Sequence, residues 1–462
     1  MIELNIRTIQ QVLQATVIQG ERPFLVKHVR HYDSTPLEHS HTLLFVRKND
    51  ELDWTFLQTK KPVAIVTDQP LERLQNAPDS IMILHVPQTL RAFWQFVRFY
   101  RSKLTIPVVA ITGTCGKTTT KEMVRHMLRK DWDIQATVSS QNEPRRSLAY
   151  LTGIGRQTKA AVFELGLGNS GNISHQCRIY QPTIGVITNI GVHHLDGCQT
   201  LDGYIQAKGE IIEELPQDGT LIVHAEDTNI KKLPIKKFKG TLYTFGTAEQ
   251  ADFKAEHLQY KGNNMVFTLR TKDARYKVTV PGIGEHQVYN ALAAIATVFV
   301  MGYPLRQAIA QLATFQPLER HLQFSTGFAG STIIDDTWTN NPTSIEAALH
   351  VLQQVGRQRK KIVLLGDINR LGTYEKHYHQ QIGTVVAQQN IDLLITIGKK
   401  AKEIGRQVKR QNPSATVYMY DKVEEGLFAQ LQAKLNRNTI VLIKGPMSSR
   451  ALIGLAEQLK GK

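Results

Sequence analysis

Residues 108–121 read VVAITGTCGKTTTK. A β-rich apolar run over 106–111 meets a Thr-Gly-Thr-Cys-Gly turn, and a pattern that predicts a helix follows over 121–128. Strand, glycine turn and helix start, in that order, make a place for a phosphate. Backbone N–H groups of the loop and first helical turn point at the anion, and the helix dipole adds to them. Gly113 and Gly116 permit backbone conformations and a close approach that a side chain would block. Lys117 is spaced to reach the outer phosphates of a nucleoside triphosphate, and the Thr118 hydroxyl to hold Mg²⁺. Gly113, Thr114, Cys115, Gly116, Lys117, Thr118 and Thr119 are therefore the expected nucleotide-binding residues. The form here is Thr-Gly-Thr-Cys-Gly-Lys-Thr, with Ile111 where the general phosphate-loop pattern has its first glycine.

The rest of the chain is long enough to build several cores around this stretch. Its 462 residues suggest three domains. Hydrophobic content of 42% and charged content of 21% are those of a globular enzyme, which excludes a disordered or fibrous chain. The net charge of +16 would suit nucleic acid or a membrane surface. The basic residues are dispersed, however, with only short clusters at Lys231-Lys232, Lys236-Lys237 and 357–361. Neither an aromatic-interleaved RNA motif nor a zinc spacing accompanies them. The expected partners are anionic small molecules, with no nucleic acid. Cys115, Cys177 and Cys198 are odd in number and lack a paired spacing, as reduced thiols do. The opening MIELNIRTIQQVLQ has no signal-peptide core, and the longest apolar run, 291–301, is too short to span a bilayer. A cytoplasmic monomer with no membrane span is expected.

Residues 1–103 read as a small α/β unit. A helix is expected over 6–13, strands over 42–46 and 63–66, and a helix over 90–100. Tyr32, Asp33, His39 and His41 read as surface residues there. Residues 104–320 read as the nucleotide domain. The strand expected over 160–165 ends in Glu164, a carboxylate at a strand end beside a phosphate loop, where Mg²⁺ is commonly held. The strand expected over 184–188 leads into Asn189-Ile190-Gly191-Val192-His193-His194. The paired histidines fit either a polar loop or a metal or phosphate role. The helix expected over 201–215 carries Lys208, and a lone helical lysine ordinarily faces solvent. His286 and Asn290 share one face of an apolar helix over 282–301, either orienting that helix or touching a ligand. Residues 321–462 alternate strands, expected over 332–335, 362–365, 393–397, 416–420 and 440–443, with helices. That is the rhythm of a doubly wound, mainly parallel sheet. Its strand ends carry Asp335-Asp336, Gly366-Asp367, Gly398-Lys399 and Lys444-Gly445, which should line one edge.

Together these stretches resemble the Mur ligase family, the ATP-dependent ligases of peptidoglycan precursor assembly. The resemblance covers 104–462. It rests on TGTCGKTTTK at 112–121, FELG at 163–166, ITNIGVHHL at 187–195, AKGEI at 207–211 and GEHQVYNALAA at 284–294. Further on it rests on IDDTWTNNPTSIEAAL at 334–349, LLGDINRLG at 364–372, His379 with Gly383, and KGPMSSR at 444–450. Within the family it is most similar to the member that joins D-alanyl-D-alanine to a UDP-N-acetylmuramoyl tripeptide.

The resemblance implies three domains: an N-terminal substrate domain over 1–103, a central ATP-binding domain over 104–320, and a C-terminal Rossmann-like domain over 321–462. It implies activation of a carboxylate by ATP as an acyl phosphate, followed by amine attack. By the same resemblance Lys117 serves the β- and γ-phosphates, and Thr118 and Glu164 one Mg²⁺. His194 serves a second Mg²⁺, and Lys208 is a lysine that relatives carbamylate, bridging to metal. Asn290 contacts adenine, Arg320 reaches ATP across the domain seam, and Asp336 faces ATP from the C-terminal domain. Four stretches depart from the family pattern. Trp338-Thr339 stand in the run after the paired aspartates, Pro446-Met447 interrupt the terminal Lys-Gly-Ser-Arg run, Asn142-Glu143-Pro144-Arg145 stand where the most similar member has a second Asn and a Gly, and Tyr32-Asp33-Ser34 with Phe45-Val46 lack the Gly and Asp-Gly-His elements that follow in relatives. Two other readings therefore stand beside the leading one: a paralogue joining a different acid and amine, and a non-catalytic nucleotide-binding regulator.

Overall fold

In the computed structural model every residue is described except Glu21, Ser34 and Lys462. Ser34, one member of the Tyr32-Asp33-Ser34 run, thus lies outside the described residues. The chain falls into two compact units. One comprises Met1–Ala110, Asp131–Leu165 and Ser174–Thr183; the other comprises Ile111–Lys130, Gly166–Ile173 and Ile184–Lys462.

The first unit opens with the helix Ile6–Leu13, where Ile6, Ile9 and Leu13 recur at helical spacing and are buried. The Asn5 side chain caps it by accepting from the Arg7 N–H. Five strands follow in the order Thr16–Gln19, Ile81–His85, Val63–Thr67, Thr42–Val46 and His28–His31. All neighbours are parallel except the first pair. Thr42–Val46 and Val63–Thr67 are buried at every position, as strands covered on both faces are. The helix Thr89–Ser102 sends Phe93, Phe96, Val97 and Tyr100 inward. Tyr100 hydroxyl accepts from Ile2 N and donates to Ile154 O at 2.7 Å, tying the first residues and the 150s to one helix. Tyr32 corrects the surface reading: it is buried, and its hydroxyl accepts from Asp53 N at 2.9 Å. Its ring joins the core around Leu44, Ile65 and Ile83. Asp33 and His39 are exposed and His41 is half-buried. The unit also holds the parallel pair Asp133–Ala136 and Thr158–Glu164.

In the second unit the parallel strands Ile184–Ile187, Thr220–His224 and Thr241–Gly246 continue into Phe253–Lys261, Asn264–Arg270 and Arg275–Pro281. The last three form an antiparallel meander that the sequence reading omitted. Its signal is plain in retrospect: Asn264–Arg270 alternates half-buried and buried positions strictly, with Met265, Phe267 and Leu269 inward. The helix Glu285–Val300 lies over these strands and is buried on nearly all sides.

Six further strands of this unit run in the order Gln323–Thr326, Thr332–Asp336, Thr439–Lys444, Lys360–Gly366, Leu393–Ile397 and Val417–Tyr420. All pair in parallel except the first. Two apolar layers, one around Leu349 and Leu442 and one around Leu364 and Leu455, cover its faces. This is the doubly wound α/β sheet expected from the alternation. Its parallel strands end together at Asp336, Lys444, Gly366 and Ile397, so the polar strand ends line one edge. Among the described residues no helix is long and apolar enough to cross a membrane.

Candidate active site

The strand Val108–Thr112 and the helix Lys117–Leu128 flank the glycine loop. The helix begins four residues earlier than its apolar pattern suggests. Lys117, Thr118 and Thr119 therefore occupy its first turn, where N–H groups have no acceptor within the helix and an anion is favoured. Both glycines are required by their neighbours. At Gly113 (φ +145°) a Cβ would lie 1.9 Å from Thr188 Oγ1; at Gly116 (φ +80°) it would lie 2.1 Å from Asn290 Oδ1. Asn290 thus packs against the loop itself.

The loop is held from one side by the residues after the strand Ile184–Ile187. Thr114 N donates to Asn189 O (2.9 Å), and Cys115 N to Asn189 Oδ1 (3.0 Å). Cys115 O accepts from Thr188 Oγ1 (2.7 Å) and Asn189 Nδ2 (2.9 Å). Gly191 N donates to Thr114 Oγ1 (2.9 Å), which also meets the buried Tyr204 hydroxyl. Lys117 Nζ lies 3.3 Å from Thr114 O. Thr188 and Asn189 were not among the expected site residues. Their signal is their position, immediately after a buried parallel strand beside the loop strand.

His193 and His194 follow on the same segment. His194 has a left-handed backbone (φ +51°), an uncommon conformation for a non-glycine residue that clusters at functional sites. Burial, then Lys208 and Lys117, hold its imidazole down at about 3. Burial, then His194 and Lys117, hold His193 well below the ordinary range too. Both rings are neutral at pH 7, and His194 Nδ1 is a buried atom without a hydrogen-bond partner among the described residues. Lys208 corrects its solvent-facing reading: it is 2% exposed, and its Nζ lies 3.2 Å from Thr112 Oγ1. In the first unit, Glu164 ends its strand buried, accepting from Asn142 Nδ2 at 2.6 Å, while its N–H donates to Thr137 Oγ1.

The six-stranded sheet brings its strand ends to the same loop. Cys115 Sγ lies 3.5 Å from the Asn341 amide. Burial pushes the Cys115 thiol up, so it remains a thiol. Asn341 caps the helix Pro342–Val355 through a reciprocal contact with Ser344. Asp336 pairs with the buried Lys444 at 2.7 Å and accepts from Leu322 N at 3.2 Å. Arg320 has a left-handed backbone (φ +57°), and its guanidinium lies 4.7 Å from the centre of the Trp338 ring. The structure thus gathers the loop, His194, Lys208, Asn290, Arg320 and Asp336 within one unit. Glu164 belongs to the other.

His286, one turn before Asn290, makes a testable prediction. Burial holds its imidazole down at about 4; Lys444 and His321 push the same way, and Asp336 opposes them. Between its ordinary value of 6.5 and about 4, the unfolded chain binds the proton and the folded chain does not. The stability is therefore complete above pH 6.5 and is lost as the pH falls toward 4, by on the order of 3 kcal/mol at most for the full shift. Thermal melts of the protein and of His286→Gln across this range should diverge, the variant showing the shallower loss on acidification. Parallel curves would mean that His286 titrates normally.

The chain is similar to known proteins over most of its length. Residues 111–298 match the Mur ligase middle domain, and residues 321–447 the Mur ligase, glutamate ligase domain. The UDP-N-acetylmuramoyl-tripeptide–D-alanyl-D-alanine ligase of Bacillus subtilis is 26% identical over 445 residues, 96% of each chain. The structure of MurF from Acinetobacter baumannii superposes with a TM-score of 0.83 at 25% identity, covering 100% of this chain and 99% of that one. The fold is also that of MurF ligase from Thermotoga maritima, solved in complex with ADP (TM-score 0.74, 20% identity, 88% of this chain and 90% of that one).

Proposed function

From the premise that this chain belongs to the Mur ligase family, we propose that it is an ADP-forming amide ligase that joins D-alanyl-D-alanine to a UDP-N-acetylmuramoyl tripeptide. The observation that carries the reading is the braced glycine loop, with Lys117 in the first helical turn and Lys208 and His194 beside it. The B. subtilis relative, whose name states this reaction, aligns over nearly its whole length.

A carboxylate oxygen of the tripeptide attacks the γ-phosphorus of ATP. The bond to the β–γ bridging oxygen breaks, and ADP leaves. The dipeptide amine then attacks the acyl carbon, phosphate departs, the amine loses a proton, and an amide remains. Negative charge gathers on the transferring phosphoryl group and on the tetrahedral intermediate. Lys117, the loop N–H groups and Arg320 are the cations and donors that stabilise it. Asn290, against the loop at Gly116, is proposed to contact adenine, and Asp336 to face ATP from the six-stranded sheet.

The residues also fit Mg²⁺. Among the described residues no three His, Cys, Asp or Glu side chains group to hold a metal by themselves. Mg²⁺ does not need such a group, because it commonly binds one or two carboxylates together with substrate phosphates. His194 Nδ1 is buried with no hydrogen-bond partner among the described residues, and a carbamylated Lys208 would add an anion beside it. The family pattern assigns Thr118 to one Mg²⁺, and His194 with the Lys208 carbamate to a second. Bound there, the metal would neutralise phosphate charge.

The same reading divides the chain into substrate, ATP-binding and Rossmann-like domains at 103/104 and 320/321. The six-stranded sheet, built wholly from residues after 320, supports the second boundary. It also implies a cytoplasmic location.

The test is phosphate release from MgATP with the UDP-linked tripeptide and D-alanyl-D-alanine, added singly and together, with mass detection. Release that requires both, with a joined product, is expected. Tight MgATP binding without such release would discard this substrate pair and favour the paralogue reading, which the missing Gly and Asp-Gly-His elements after Val46 support.

A further inference from the structure

Arg320, His321 and Leu322 lead from the nucleotide-binding part of the second unit into the strand Gln323–Thr326. Arg320 (φ +57°) and Leu322 (φ +51°) both adopt the left-handed region, which L side chains disfavour. Such a backbone persists only where its surroundings fix it. Arg320 N donates to Gln323 Oε1 (3.2 Å), and Leu322 N to Asp336 Oδ1 (3.2 Å). The strained segment is thus tied to the end of the strand Thr332–Asp336.

The Arg320 side chain is held differently. Its guanidinium lies over the Trp338 ring at 4.7 Å, and the His321 ring lies 5.2 Å from the same indole. The nearby carboxylate of Asp336 is engaged by Lys444 and by Leu322 N. This choice of partner has a chemical consequence. A carboxylate would neutralise the guanidinium and occupy its N–H donors. An aromatic face orients the cation and leaves its in-plane donors for a phosphate. It also restricts a long side chain before the nucleotide arrives, so less freedom is lost on binding.

Trp338 is itself anchored. Its carbonyl accepts from Met447 N at 3.0 Å, and Lys444 Nζ reaches the next carbonyl, that of Thr339. Two departures from the family pattern, Trp338 and the Pro446-Met447 interruption, are therefore joined by one hydrogen bond. We propose that Trp338 is a positioning residue: stacked under Arg320 and fixed through Met447, it holds the guanidinium oriented and with its donors available for the ATP phosphates. The inference rests on the reading of Arg320 as the ATP-contacting arginine.

The test is a kinetic cycle with MgATP, the UDP-linked tripeptide and D-alanyl-D-alanine. It uses the wild type, Trp338→Phe, Trp338→Ala, Arg320→Ala and the double variant Trp338→Ala/Arg320→Ala. Trp338→Ala should lower kcat about tenfold, within the range of a partly desolvated cation–π contact. The KM for the dipeptide should move less than about twofold, and Trp338→Phe should recover most of the loss. Arg320→Ala should lose on the order of 10³-fold. The double variant should be no worse than Arg320→Ala, because Trp338 has nothing left to position. An additional tenfold loss in the double variant would overturn the inference while leaving the reading of Arg320 intact. Such additivity, with a raised KM for ATP, would mean that the indole stacks on the adenine instead. Full activity in Arg320→Ala would remove both. If Trp338→Ala fails to fold, the cycle built on Trp338→Phe reads the same coupling at smaller amplitude.

Discussion

Lys117→Ala is expected to lower turnover by at least about 10³-fold, equivalent to ~4 kcal/mol of transition-state stabilisation. The chain should stay folded. In the structure the ammonium meets Thr114 O at 3.3 Å, a long contact whose loss costs under about 1 kcal/mol. The loop keeps its other supports: Thr188 and Asn189 hold the Cys115 carbonyl, and Asn189 accepts from two loop N–H groups. Activity and stability therefore separate at this position, and the pair of measurements is a phosphate-release assay and a thermal melt on the same preparation. Lys117→Arg should recover little, because a planar fork does not replace a point charge cradled in a glycine loop. Turnover near wild type in Lys117→Ala would refute the phosphate-loop reading.

What the sequence disclosed and what it hid follow one physical division. Features set within a few residues were legible: the glycine loop, the buried strands at 42–46 and 393–397, and the first helix, whose limits at 6 and 13 match the structure. Local pattern also announced the six-stranded α/β sheet. Features set by long-range packing were not legible. Lys208 reads as an exposed helical lysine until the chain folds and places it 3.2 Å from Thr112, 96 residues away. Tyr32 looks like a loop residue until Asp53 is brought to its hydroxyl. The stacking of Arg320 on Trp338, and the contact of Cys115 with Asn341, join positions whose spacing carries no periodic signal. The helix after the loop begins before its apolar pattern because its first turn, Lys117, Thr118 and Thr119, carries no apolar residue to mark it. The antiparallel meander is the exception. Its alternation was local and readable.

Lys208→Ala is expected to match the Lys117 variant, with a loss of at least about 10³-fold, but through the opposite sign of charge. As an ammonium, Lys208 would be a buried cation close enough to depress His194 and His193, beside Lys117, with an electron-rich Tyr204 ring 5.4 Å away. The neutral amine is the form that adds CO₂, releasing one proton and leaving a carbamate. Positive crowding becomes a negative group beside a neutral imidazole whose Nδ1 has no hydrogen-bond partner among the described residues. That is a donor set for a hard cation, which the lysine alone is not. Chemical rescue separates the two forms. Acetate or propionate diffusing into the cavity of Lys208→Ala should restore part of the activity if the working group is a carbamate. Methylamine or ethylamine should restore it if the working group is an ammonium. Incubation of the wild type with ¹³C-bicarbonate should give a carbamate carbon resonance that is absent from the variant. Rescue by amines alone, without that resonance, would leave Lys208 as a cation and remove the second metal position from the reading.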